Sequence, residues 1–205
     1  MRIVRTGYFF AAVPAAAGLL ALGLGWRVAG AVLLALAGFV LFFFRDPERA
    51  IPTAPGVVVS PADGRVLGVD ETKLEGRPVT RVSIFLSLFD VHVNRAPIAG
   101  RVAAVRYQPG RFHVASRPAA SEENELNEVA LEGEGTRVVF RQIAGLLARR
   151  IEFWPRTGDE LARGQRLGLI RFGSRVEVFF DPSYRAEVSA GARVHGGSSV
   201  LAVRQ

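Results

Sequence analysis

The 205-residue chain predicts a mainly β domain of the α+β type, preceded by an N-terminal pair of apolar helices. Three observations carry that prediction. The first 44 residues hold no Asp or Glu and only three charges, Arg2, Arg5 and Arg27. The pattern then changes abruptly at Arg45-Asp46-Pro47-Glu48-Arg49. Beyond it, short β-branched runs recur between glycines and prolines, the signature of strands joined by turns.

The apolar region has two parts. Residues 7–26 give 20 positions without a charge, and residues 28–44 another 17, separated by Arg27 alone. At 1.5 Å per residue the first is long enough for a hydrocarbon layer of about 30 Å and the second nearly so. Pro14 and the glycines are tolerated in helices of this kind. A tight turn at Trp26-Arg27 makes the pair a transmembrane helical hairpin, with Arg2 and Arg5 before it and Arg45 and Arg49 after it. The bias of basic residues to the inner side then predicts a cell-membrane protein whose following domain is cytoplasmic. A cleaved signal peptide or a buried soluble helix pair are the competing readings. Two long apolar segments in tandem, with no clear small-residue cleavage site after them, favour the anchor. The predicted organisation is therefore an anchor over residues 1–44 and a domain over 45–205, entered through a short linker that reaches Pro55.

Within that domain, residues 57–59, 64–69, 80–86, 100–105, 136–140 and 176–180 are short, β-branched and bounded by glycine or proline, and they predict strands. Residues 125–131 and 143–151 read as helical turns, the second equally as a strand followed by a turn. Glycine-punctuated stretches at 63–66, 158–164 and 190–197 predict hairpins similar to those of barrel-sandwich domains of the biotinyl and lipoyl kind, a likeness of fold alone. A carrier domain needs a modifiable lysine at a hairpin tip, and Lys73, the chain's single lysine, lacks the usual flanking residues.

Composition excludes several function classes. The chain has no cysteine, which removes disulfides, thiolate nucleophiles and zinc ribbons. Its net charge of +7 shrinks beyond residue 44 to 23 basic against 19 acidic residues, without long basic runs. That mild excess suits an anionic membrane surface about as well as nucleic acid, and no nucleic-acid partner is expected. No group of His, Asp and Glu has metal-ligand spacing, so no metal is expected.

The chemistry-bearing residues lie in three segments. The run Gly168-Leu169-Ile170-Arg171-Phe172-Gly173-Ser174-Arg175-Val176-Glu177 holds a Gly-Ser pair at a strand connection. A serine hydroxyl there can attack the preceding carbonyl, and glycine offers the least hindered carbonyl and the widest choice of backbone angles. Ser60-Pro61-Ala62-Asp63-Gly64-Arg65-Val66 holds Asp63, which composition alone reads as the start of a β-turn. Phe85-Leu86-Ser87-Leu88-Phe89-Asp90-Val91-His92-Val93-Asn94-Arg95 holds His92, a side chain suited to moving protons near neutral pH.

Together these segments resemble the phosphatidylserine decarboxylases, particularly the short single-domain type, over roughly residues 43–203. The resemblance implies self-cleavage between Gly173 and Ser174, which leaves fragments of 173 and 32 residues associated as a heterodimer. It implies that Ser174 becomes a pyruvoyl group, a covalent cofactor that condenses with the amine of phosphatidylserine as a Schiff base and releases carbon dioxide and phosphatidylethanolamine. By the same match Asp63 orients or charge-stabilises a base near Ser174, and His92 is the proton carrier. Longer bacterial relatives place a second histidine three residues after the first; this chain has Arg95 there. Ser121-Glu122-Glu123-Asn124 and the stretch 142–151 also match, the latter bringing Arg149 and Arg150 as candidate contacts for a lipid phosphate. His113 and His195 fall outside any catalytic motif, and Gly196-Gly197-Ser198-Ser199 reads as a turn into a final strand. The same chemistry on another serine phospholipid, such as archaetidylserine, fits the sequence equally. A non-catalytic membrane-tethered adaptor is the reading from a different class. The sequence leaves a homo-oligomer open.

Overall fold

A computed structural model describes residues 2–117, 119–146, 150–171 and 173–205. The chain divides into two compact units, with the boundary between Glu48 and Arg49.

The first unit runs β1 (Arg2–Ile3), α1 (Arg5–Gly23), α2 (Arg27–Phe43) and β2 (Arg45–Asp46). The chain turns at Leu24-Gly25-Trp26, where Trp26 donates its N–H to the Ala21 carbonyl. Small residues make the helix contact: Gly7, Ala11, Gly18 and Ala21 form the buried stripe of α1, and Gly30 and Ala37 lie on the buried side of α2. Such residues let two apolar helices approach closely where lipid offers no hydrophobic driving force between them. The β1–β2 pair, Arg2 opposite Asp46 and Ile3 opposite Arg45, brings the two ends of the hairpin together. With 19 residues, α1 is apolar and long enough to cross a bilayer, while the 17 residues of α2 fall slightly short.

The second unit is mostly strand, as the periodicity predicted. Its elements are β3 (Val57–Val59), β4 (Gly64–Leu74), β5 (Arg77–Leu86), β6 (Val93–Arg95), β7 (Gly100–Gln108), α3 (Ala120–Glu123), β8 (Leu126–Gly133), β9 (Thr136–Ile143), β10 (Ile151–Phe153), β11 (Glu160–Leu161), β12 (Arg166–Ile170), β13 (Ser174–Phe180), β14 (Tyr184–Ala186), β15 (Arg193–Val194) and β16 (Val200–Arg204). A curled eight-stranded sheet has the order β11-β7-β8-β9-β13-β5-β4-β15, and two three-stranded sheets, β10-β12-β6 and β14-β16-β3, complete the fold. Val82, Ile84 and Leu86 of β5, Val138 and Phe140 of β9 and Val176, Val178 and Phe180 of β13 point into one core, where Leu167, Ile170 and Leu201 of the smaller sheets meet them.

The alternate residues of the large sheet form its other face, which pairs a small apolar cluster of Ala130, Val139 and Phe179 with buried ionic groups. Glu177 on β13 accepts from Ser83 and Ser121 and lies beside Arg175, while Glu128 on β8 takes Arg106 and Arg141.

One expectation is overturned. Residues 125–131, read as a helical turn, belong to β8, and the helix lies earlier, at Ala120–Glu123. Leu, Glu and Ala favour helix in isolation, but β8 sits between β7 and β9 with every position from Leu126 to Leu131 buried. Cross-strand partners for Asn127 and Glu128 outweigh the local preference. In the stretch 143–151, Ile143 ends β9 and Ile151 opens β10, residues 144–146 belong to neither strand nor helix, and Leu147 to Arg149 lie outside the described residues.

Candidate active site

One end of the large sheet gathers the singled-out residues. Ser174 opens β13, opposite Leu86 at the end of β5, and its neighbour Arg175 lies opposite Ile143 at the end of β9. Gly64 opens β4 on the far side of β5, so Asp63 lies two strands from Ser174, roughly 10 Å at ordinary strand spacing.

Gly173 has φ +73°, the left-handed region that glycine enters without a Cβ penalty. That backbone turns the chain into β13 with its carbonyl against Gly145: a Cβ on Gly145 would stand 2.2 Å from the Gly173 oxygen. Ser174 is fully buried, and its Oγ has no hydrogen-bond partner among the described residues. A buried hydroxyl left unpaired is costly, and one on the residue that follows a tightly held carbonyl is a candidate for chemistry.

The His92 ring reaches this junction. Its Nε2 lies 3.3 Å from the Gly173 nitrogen and accepts that N–H, while Nδ1 lies 3.0 Å from the Asp90 carbonyl. The two contacts together call for the neutral tautomer with the proton on Nδ1. Asp90 is itself fixed: Oδ2 accepts from the Ser87 N–H at 2.8 Å and the Ser87 hydroxyl at 2.7 Å, and Oδ1 takes Arg193 at 3.1 Å. Beneath the ring, β6 is tied to the large sheet by buried amides. Gln142 donates to Asn94 at 2.8 Å, and Asn127 donates to Gln142 at 3.0 Å.

Asp63 is occupied elsewhere. Its carboxylate takes Arg49 at 2.6 Å, the Gly196 N–H at 2.8 Å and the His195 ring at 3.3 Å, and among the described residues it makes no hydrogen bond to His92. The relay expected around one base is thus divided, with His92 oriented by the Asp90 backbone and Asp63 joining Arg49 to the 195–196 turn. Arg95, at the position of the relatives' second histidine, is buried and donates to the Gly164 carbonyl at 3.1 Å. His113 pairs with Glu123 at 3.0 Å. Asn124, fully buried, bridges His113 to the Ala144 carbonyl and so braces the loop that carries Gly145. Arg150 is exposed, and Arg149 lies outside the described residues. Residues 195–199 form the expected turn into β16.

The site residues that sequence reasoning missed are Gly145, Asn124 and Asp90 in its bracing role. All three stood inside quoted segments, Gly145 in 142–151, Asn124 in 121–124 and Asp90 in the His92 run, but nothing in those segments pointed to their bracing contacts.

The phosphatidylserine decarboxylase family model matches residues 36–202, and this span contains every residue of the junction. The chain belongs to the phosphatidylserine decarboxylase family. It is similar to the phosphatidylserine decarboxylase proenzyme of Solibacter usitatus, 51% identical over 204 residues that cover 100% of this chain and 98% of the relative. The proenzyme of Symbiobacterium thermophilum is 49% identical over 203 residues, covering 97% and 94%. That of Ruegeria pomeroyi is 45% identical over 184 residues, covering 86% and 84%. The matched span holds the Gly173-Ser174 junction and the His92 ring that lies against it.

Proposed function

We propose that the chain is a membrane-anchored proenzyme that cleaves itself between Gly173 and Ser174 and then decarboxylates phosphatidylserine to phosphatidylethanolamine. The observation that carries this reading is the buried, unpartnered Ser174 Oγ beside a carbonyl packed on Gly145, with His92 on the amide of Gly173. Oγ attacks the Gly173 carbonyl carbon, the Gly173–Ser174 C–N bond breaks, and the nitrogen leaves as the amine, giving an ester. Loss of the Ser174 Cα proton and of the Gly173 carboxylate from Cβ leaves an enamine. Hydrolysis of its imine tautomer by water releases ammonia and leaves a pyruvoyl group at position 174. His92 takes the hydroxyl proton and returns it to the leaving nitrogen.

The position fits that group, since the buried Oγ of Ser174 makes no hydrogen bond among the described residues. A ketone there supplies the electron sink, a carbonyl that condenses with the substrate's primary amine and accepts the electron pair left when carbon dioxide departs. Arg95, donating to Gly164 from a buried position, does not move protons, so His92 serves both stages. Asp63 acts one step away by holding the 195–196 turn of the 32-residue fragment to Arg49 of the large one. The apolar hairpin holds the enzyme on the bilayer where a diacyl substrate resides, with its basic flanks on the cytoplasmic side.

Intact mass of the purified chain tests the reading. The expected result is two fragments of 173 and 32 residues, the smaller blocked at its N-terminus by a ketone that reacts with hydrazine. The Ser174→Ala chain should stay whole and inactive. A whole wild-type chain, or a fragmented Ser174→Ala chain, overturns it.

A further inference from the structure

The second unit exposes few large apolar side chains, and they are not scattered. Among its described residues these are Phe89, Val105, Tyr107, Val114, Leu146 and Trp154. Three of the six lie on the loops that meet at Gly173. Phe89, 68% exposed, is on the 87–92 loop that brings His92 to the Gly173 amide. Leu146, 55% exposed, follows Gly145, which packs on the Gly173 carbonyl. Val114 precedes Ala115, whose Cβ is the next contact of Gly145. Tyr107 belongs to the same end of the sheet, since it stands opposite Asn127 where β7 finishes.

Cations accompany them. Arg117 and Arg150 are exposed on the same loops, and neither forms an ion pair among the described residues. The chain also enters the unit at this end, because Arg49, its first residue, is bonded to Asp63 beside Gly64. Exposed apolar side chains that share their loops with guanidinium groups outside any ion pair suit an interfacial surface, one that places hydrocarbon below the headgroups and positive charge among them.

We propose that this rim, Phe89, Val114 and Leu146 with Arg117 and Arg150, docks directly on an anionic bilayer surface and seats the Gly173-Ser174 junction at headgroup depth. The proposal rests on the reading of a phospholipid substrate, and it adds to the helical hairpin a second, independent contact made by the catalytic unit itself. A docked rim fixes which end of the catalytic unit faces the lipid, so a headgroup reaches the buried position 174 without its acyl chains leaving the bilayer.

The absence of cysteine makes the test direct. Single cysteines replace Phe89, Val114, Leu146 and, as a control, Lys73, which is exposed on the β4–β5 hairpin at the opposite end of the sheet. Each full-length chain carries an environment-sensitive fluorophore and is reconstituted in phosphatidylcholine–phosphatidylglycerol vesicles with nitroxide-labelled lipid. The expected result is strong quenching at 89, 114 and 146, at least about threefold above that at 73, as burial of an apolar probe at the acyl boundary requires. Equal quenching at all four positions, or none, overturns the proposal. The measurement is repeated in the Ser174→Ala background. Quenching there that matches the wild type upholds the docking surface even if the chemistry fails. Loss of quenching in a chain that still cleaves would sink the docking surface and leave the enzyme reading standing.

Discussion

Gly145 shows how a residue without a functional group enters the chemistry. With 2.2 Å between a would-be Cβ and the Gly173 oxygen, Gly145→Ala must push the scissile carbonyl out of place. Self-cleavage is expected to slow by about a hundredfold or more, read as the fraction of intact chain over time on a denaturing gel, and thermal stability to fall as well because the displaced group is backbone. His92→Gln keeps a group able to accept the Gly173 N–H but cannot move protons, so its cleavage is expected to fall by about 10²–10⁴. Gly173-Ser174 and His92 could be singled out in the sequence because they stand in the segments that carry the family resemblance and their residue types suit the proposed chemistry. Gly145 could not, because its constraint comes from a carbonyl 28 positions later. The partners of Asp63 were hidden for the same reason: His195 and Gly196 come to it from 132 and 133 positions away.

Strand β8 marks the limit of local reading among the elements. Runs such as 57–59 and 176–180 declare themselves through valine and phenylalanine, whereas Leu126-Asn127-Glu128-Val129-Ala130 becomes a strand only because β7 and β9 supply partners. Its Glu128 has a pH consequence. Burial alone raises this carboxyl, but hydrogen bonds from Arg106 and Arg141 outweigh that and hold it below the ordinary value of 4.5. A carboxyl lowered in the folded state stabilises the fold above its unfolded value, and the contribution disappears as pH falls through the folded one. Wild type is therefore expected to lose melting temperature below about pH 4.5 more steeply than Glu128→Gln, and parallel pH profiles of the two chains would contradict this assignment. The buried amides between β6, β9 and β8 are a separate device. Gln142→Leu strips partners from Asn94 and Asn127 and is expected to cost about 2–4 kcal/mol, measured by denaturant unfolding.

At the scale of the whole molecule, the proposed function gives the two units different work, the first holding a surface and the second doing chemistry. The apolar core of the second unit is drawn entirely from residues 58–202. A chain beginning at Arg49 is therefore expected to fold and to release the same 32-residue fragment, while its turnover on vesicles falls well below that of the full chain. Failure of the shortened chain to fold would show that the hairpin takes part in folding. The central position of β13 has a further effect. On the proposed cleavage, the smaller fragment supplies a strand flanked on both sides by the larger one, plus β15 on β4 and β16 on β3. The sheet closes around this strand while the chain is still continuous, and 32 residues are too few to rebuild it from outside. The uncut chain holds the instructions for assembly, and the mature enzyme no longer does. Heat should thus inactivate the cleaved form for good while Ser174→Ala refolds on cooling, so each molecule has a single opportunity to fold and is replaced by synthesis rather than by repair.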